Sequence, residues 1–237
     1  MKIDDEVLKK LKSAKTAFAL TGAGSSAPSG IPTFRGNDGF WKDKTPFDVE
    51  EFNRDPERVW QWHQEIKEMI KKKSPNPSHF ALAKMQSIFK NFAIVTQNID
   101  NLHQAAGSNR VIELHGNIFR NKCNSCGKIF GEIDSKEIPE CDECGGLIRP
   151  DVVWFGEMLP YKALVKARAY AESSEVCFVI GTSGVVQPAA SIPLVSKESG
   201  ALVIEINREK TVLSQYLDYS LLGDASLILP ELCERLG

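Results

Sequence analysis

The sequence predicts an α/β fold in which a mostly parallel sheet is covered by helices on both faces. Three observations carry that expectation. Short apolar runs recur along the 237 residues, helix-patterned stretches separate them, and the first run passes directly into a glycine-rich turn. Two stretches break the alternation: residues 36–75, with helical periodicity, and residues 119–151, with paired cysteines among turn-forming residues. Both read as insertions, which leaves residues 1–35, 76–118 and 152–237 to build the larger domain.

In chain order, Val7, Leu8 and Leu11 fall at helical spacing, and residues 16–21 read as a buried strand. Further strand-like runs lie at 92–96, 111–114, 175–182, 201–207 and 226–229. Helical patterns occupy 56–73, 78–90, 161–172 and 188–198. Lys71 to Lys73 end the first of these with charges favourable at a helix C-terminus.

Composition narrows the function classes. With 42% hydrophobic and 25% charged residues the sequence is that of an ordinary globular protein, and a formal charge of -2 gives no reason to expect a nucleic-acid partner. No run approaches the ~20 apolar residues of a membrane-spanning helix, and MKIDDEVLKK lacks a signal-peptide core, so the cytoplasm is the expected compartment. There, two CxxC pairs indicate metal rather than disulfides. Cys177, in VCFVI, and Cys233, in a helical pattern, are expected to be small buried hydrophobes.

Gly22-Ala23-Gly24-Ser25-Ser26-Ala27 fits the G-x-G-x-x-[GA] fingerprint of dinucleotide sites, where glycine lets backbone N–H groups approach a pyrophosphate at the start of a helix. The acidic residue expected ~20 positions later is missing, which disfavours an ordinary dehydrogenase. Cys123-x2-Cys126 and Cys141-x2-Cys144 are separated by 14 residues, close to the spacing of zinc knuckles. Four thiolates fill a tetrahedral shell and leave no place for water, so a Zn2+ ion held there is structural. His115 follows VIEL, and Gln97-Asn98-Ile99-Asp100 follow another strand-like run, at the strand ends where open α/β sheets bind ligands. Asn98 and Asp100 also suit helix N-caps ahead of Leu102, and His63, His79 and His103 are expected to be surface or packing residues.

Taken together, GAGSSAPSGIPTFRG (22–36), TQNID (96–100), ELHG (113–116), the two CxxC pairs, VVWFGE (152–157), GTS (181–183) and EIN (205–207) resemble the sirtuin family. The order matches from about residue 12 to residue 230. The resemblance implies an atypical Rossmann domain that binds NAD beneath a small zinc-bearing domain. It also implies a protein-lysine deacylase that consumes NAD, releases nicotinamide and O-acyl-ADP-ribose, and has acyl-lysine proteins as partners. On that resemblance Gly22, Ala23 and Gly24 hold the pyrophosphate, and Phe34 and Arg35 belong to a loop that closes over NAD. Asn98, Ile99 and Asp100 line the nicotinamide and ribose pocket, and Gly181, Thr182, Ser183, Asn207 and Ala225 surround the adenosine end. Gln97 and His115 face the nicotinamide ribose, with His115 as general base and Asn98 beside it in catalysis. Val152, Val153, Trp154 and Phe155 border the acyl-lysine tunnel, and Cys123, Cys126, Cys141 and Cys144 bind zinc.

The departures from the pattern bear on specificity. Ser25 stands where the family usually has Ile or Val, a loop change that removes no catalytic group. Thr33 and VVWFGE resemble the prokaryotic and desuccinylase-like subgroup. The Tyr and Arg with which that subgroup grips an acyl carboxylate nevertheless align with His63 and Ile66. An imidazole in an apolar tunnel tends to lose its proton, so at neutral pH His63 is a poor replacement for the missing guanidinium fork, and acetyl or a longer neutral acyl group is expected. Three other readings compete: a protein mono-ADP-ribosyltransferase, a zinc-ribbon binding module with an incidental glycine loop, and a nicotinamide oxidoreductase.

Overall fold

The computed structural model describes residues 3–33 and 47–237, so the expectations for Phe34 and Arg35 lie outside the described residues. Helix α1 (Asp5–Ser13) begins at Asp4, whose carboxylate accepts from the Glu6 N–H, and leads into β1 (Thr16–Thr21). Two 3-10 turns, Ala23–Ser25 and Ala27–Ser29, follow β1 where an α-helix was expected. Gly30 ends them in the left-handed region, at φ 76°, before another turn can form.

The chain continues through α2 (Val49–Arg54), α3 (Pro56–Lys71), α4 (Pro77–Ile88), β2 (Asn91–Thr96), α5 (Leu102–Ala105) and β3 (Val111–Glu113). Next come β4 (Gly116–Cys123), β5 (Ile129–Phe130), β6 (Ile148–Val152), α6 (Tyr161–Ser173) and β7 (Val176–Ile180). Helix α7 (Ile192–Glu198), β8 (Leu202–Asn207), β9 (Tyr219–Leu222) and α8 (Ala225–Leu236) complete it.

Six strands form one sheet in the order β3-β2-β1-β7-β8-β9, with every neighbouring pair parallel. Alternate residues divide between its faces. Ala17, Ala19, Ile94 and Phe178 pack with α1, α4 and α8, while Phe18, Leu20, Val95 and Val179 pack with α6 and α7. Burial on both faces is why these strands read as unbroken apolar runs.

Residues 226–229 correct the strand expectation, because they lie in α8. The Asp224 carboxylate accepts from the Ser226 N–H, and Ile228, Leu229, Leu232 and Cys233 are buried at helical spacing. A run as short as Ser226 to Leu229 cannot by itself distinguish the two structures. The sixth strand is β9, in which only Leu221 is buried and Leu222 is exposed. The helical pattern expected over 188–198 divides into a 3-10 turn, Ala189–Ser191, and α7.

A second sheet, the antiparallel β5-β4-β6, carries the paired cysteines. Ile118 and Val152 from this sheet join Phe52, Val59, Ile70 and Trp154 in a separate hydrophobic cluster with α2 and α3. Among the described residues no helix is long and apolar enough to cross a membrane.

Candidate functional site

The strands of a parallel sheet all end on one edge, and the order reverses between β1 and β7, which opens a crevice there. A cavity of about 780 Å³ lies at this edge. Gly22, Ala23 and Gly24 reach it after β1, Gln97, Asn98, Ile99 and Asp100 after β2, and His115 after β3. Gly181, Thr182 and Ser183 follow β7, Asn207 ends β8, and Ala225 starts α8. Val152, Val153, Trp154 and Phe155 line the same cavity, as do His63 and Ile66 from α3. The structure thus brings together every described residue that the sequence nominated for cofactor or substrate.

Two glycine loops interlock at its floor. The Gly24 N–H donates to Gly181 O at 2.8 Å, and a Cβ added at Gly22 or Gly24 would lie 2.8 Å from Gly181 backbone atoms. Gly181 has φ 59°, and its own Cβ would meet Ser25 N at 2.4 Å. Glycine is therefore required by the close approach of two loops.

The end of β2 supplies a buried polar network. The Asn98 N–H donates to Thr96 Oγ1 at 3.0 Å, and Asn98 Nδ2 lies 3.2 Å from Gly22 O, 3.0 Å from Ser25 Oγ and 3.1 Å from Ser26 Oγ. Asn98 Oδ1 is buried and finds no hydrogen-bond partner among the described residues, which leaves an acceptor open to a ligand. Asp100 accepts from Ser26 Oγ at 2.6 Å and from the Leu102 N–H at 3.0 Å and lines the cavity, while the N-cap of α5 is Asn101 and not Asn98 or Asp100. Burial raises its pKa against the pull of these donors. Sequence reasoning passes over Ser26, since the fingerprint leaves its position unspecified.

His115 Nδ1 lies 2.9 Å from Gln97 O. A carbonyl only accepts, so Nδ1 carries the proton and Nε2 remains an acceptor. Burial lowers the His115 pKa, with the Gln97 carbonyl acting in the other direction. His115 O in turn accepts from the Val153 N–H at 2.9 Å, which joins it to the apolar wall. His79 and His103 are packing residues, both buried, with ring centroids 4.9 Å apart.

His63 is also buried, although it lines the cavity. Its Nδ1 donates to Val59 O at 2.7 Å, and its Nε2 accepts from Trp154 Nε1–H at 3.3 Å. Burial pushes its pKa down to about 4. Arg149 and Glu157, which sequence reasoning missed, hold the other side of Trp154. Arg149 is 1% exposed, stacks 3.1 Å from the indole centroid, and contacts both Glu157 oxygens, at 2.6 and 2.9 Å. Arg149 lies in Ile148–Val152, whose Pro150 and Asp151 leave no apolar run to mark it as buried.

The four paired cysteines converge, with their Sγ atoms all within 4.8 Å of one another. Cys123 and Cys144 are 3.4 Å apart and Cys126 and Cys141 3.8 Å apart, against roughly 3.8 Å for thiolates around tetrahedral zinc. The Cys126 N–H, followed by that of Ser125, pulls the Cys123 thiol down to about 6. This set fits zinc and, with four ligands present, closes its shell. Cys177 and Cys233 are buried free thiols.

Comparison with known proteins points the same way. The Sir2 family model matches residues 22–188. The chain is 48% identical over 243 residues to the NAD-dependent protein deacylase of Pyrococcus furiosus, covering 98% of this chain and 97% of that one. It is 48% identical over 223 residues to the NAD-dependent protein deacylase of Aquifex aeolicus, covering 92% and 93%. The structure of a Sir2 homolog–NAD complex aligns with a TM-score of 0.92 at 44% identity, covering 99% of this chain and 94% of that one. A Sir2–p53 peptide–NAD+ complex aligns at 0.87 with 37% identity, covering 99% and 98%. A parallel sheet with a four-cysteine module, matched nearly end to end by these proteins, leaves one conclusion: the chain belongs to the Sir2 family.

Proposed function

We propose that this chain removes neutral acyl groups from protein lysines, consuming NAD. One observation carries the reading. His115, with Nδ1 tied to Gln97 O and Nε2 left to accept a proton, lines one cavity together with the interlocked glycine loops and the apolar residues Val152, Trp154 and Ile66. NAD, when bound, supplies a ribose carbon that becomes electrophilic as nicotinamide leaves. The chain positions the reactants and moves a proton.

The loops at Gly22–Gly24 and Gly181 let backbone approach the pyrophosphate, with Thr182, Ser183, Asn207 and Ala225 at the adenosine end. Asn98, Ile99 and Asp100 hold the nicotinamide half, where the free Asn98 Oδ1 can accept from a carboxamide. His115 Nε2 takes a ribose hydroxyl proton as general base, with Gln97 beside the same ribose. Val152, Val153, Trp154, Phe155, His63 and Ile66 enclose the acyl group and exclude water. The four cysteines hold Zn2+, whose part is structural. We assign residues 1–35, 76–118 and 152–237 to the NAD-binding domain, 36–75 to a helical insertion and 119–151 to the zinc module. Thiolate ligation suits a reducing compartment, which supports the cytoplasm.

Incubating the protein with NAD and an acetyl-lysine peptide should give nicotinamide and free lysine. A labelled protein without deacylation would instead indicate an ADP-ribosyltransferase, and intact NAD would overturn both readings.

Two further outcomes follow from the cavity. Gly24→Ala forces a Cβ against the Gly181 backbone and should destabilise the fold by about 1–3 kcal/mol. Separating the loops should also weaken NAD binding by at least ~10-fold, about 1.4 kcal/mol, as read by calorimetry. An unaltered Kd would place the dinucleotide elsewhere.

Acyl choice is set by charge. A succinyl carboxylate entering this end meets Ile66 and an uncharged His63, and an unpaired charge in apolar surroundings is costly. Acetyl or longer neutral acyl-lysine should exceed succinyl-lysine in kcat/KM by at least ~10-fold. Acidification to about pH 6 should not rescue the succinyl substrate through His63, whose pKa is about 4. Matched peptides at pH 6 and pH 8 decide this, and a succinyl preference at pH 8 would contradict it.

A further inference from the structure

Helix α3 is held on adjacent faces by two different parts of the molecule. Trp60, Lys67 and Lys71 stand nearly in line along it, because spacings of 7 and 11 residues approach whole turns. Trp60 Nε1 donates to Ser135 O at 3.0 Å, Lys67 Nζ to Ile133 O at 2.6 Å, and Lys71 Nζ pairs with Glu132 at 2.7 Å. All three partners lie in the zinc module, between β5 and the second cysteine pair. Roughly a quarter-turn around the helix, His63 and Ile66 line the cavity, and His63 accepts the indole N–H of Trp154.

Lys67 is the unusual member. Its side chain is 2% exposed, and the nearest Glu132 oxygen is 3.8 Å away, so the ammonium depends chiefly on the Ile133 carbonyl. Burial accordingly lowers its pKa. Burying a charge opposes folding, and an apolar residue of similar volume commonly serves stability as well or better. What the lysine adds is a directional link between α3 and the loop at 132–135.

We propose that Lys67 is a positioning residue, tying α3 to the zinc module and so setting where His63 and Ile66 stand at the acyl end of the cavity. This rests on the reading of that end as the acyl-lysine tunnel. The α3 residues on the cavity wall sit within about one turn of Lys67, so a helix that shifts at this anchor carries them with it. The adenosine end is built on the loops after β7 and β8 and should be indifferent to the change.

Lys67→Met keeps the volume and removes the donor, and is compared with the wild type as zinc-loaded protein of verified metal content. Its KM for an acetyl-lysine peptide should rise at least ~5-fold while KM for NAD stays within ~2-fold, a split that general destabilisation would not give. Amide exchange over residues 59–70 should accelerate by at least ~10-fold, with the parallel sheet unaffected. Trp60→Phe removes a second anchor, should move the same quantities in the same direction, and serves as the test if Lys67→Met does not fold. Unchanged exchange in α3, faster exchange with an unaltered peptide KM, or a uniform increase along the whole chain each overturns the proposal. If the wild type itself releases no free lysine, the deacylase reading fails, and the α3 exchange comparison alone decides whether Lys67 anchors the helix.

Discussion

His115→Ala should bind NAD nearly as the wild type does, while deacylation falls at least ~10²-fold, about 2.7 kcal/mol of barrier. The split is expected because the imidazole is placed to move a proton, whereas the glycine loops, Asn98 and the β8 end remain to hold the dinucleotide. Nδ1–H is committed to Gln97 O, so the ring is presented in the tautomer that can accept at Nε2. The direction of the pH dependence follows. Burial depresses the His115 pKa, so the base form persists below the usual 6.5, and the acid limb of kcat/KM in the wild type should lie below that value. In the alanine variant the residual rate should lack this limb. Calorimetric NAD binding and peptide turnover measured on one preparation test both halves, and wild-type turnover in the variant would remove His115 from the mechanism.

Loss of zinc should have the largest effect on structure. Beside the cysteines, the module buries little apolar material of its own, with Ile148 in the cluster and Phe130 and Ile133 partly covered against it. Such a unit depends on its metal, and structural zinc binding in small peptides is worth on the order of 10 kcal/mol. Chelation, or Cys141→Ser, should therefore unfold residues 119–151, lower Tm and reduce deacylation to background. Acid should weaken the site because thiolates must be deprotonated to bind. A verifiably zinc-free protein that kept its Tm and full activity would falsify the structural assignment.

Much of this molecule was legible before folding because its signals are local. Apolar runs at 16–21, 92–96 and 175–182 reflect strands buried on both faces, and helical periodicity over 56–73 marks α3. Glycine spacing and paired cysteines are equally local, since turn geometry and metal ligation act over a few residues. The site residues were traceable because parallel strands present their ends on one edge, so groups following separate runs meet there.

By itself, then, the sequence determined the parallel α/β fold, the four-cysteine cluster and the residues that meet at the strand ends. Only the tertiary structure decided their chemical states. Burial lowers the His63 pKa, and its Nε2 meets Trp154, 91 positions away, a partner that no helical pattern reveals. The glycines at 22 and 24 are required by Gly181 as much as by any ligand. Ser26 joins the site through Asp100, Arg149 through Glu157, and residues 226–229 become helical once Asp224 caps them and α8 packs on the sheet. The physical reason is the range of the interactions: periodicity and turn chemistry are written over a few residues, whereas desolvation, tautomer and close backbone approach arise between segments that meet only on folding.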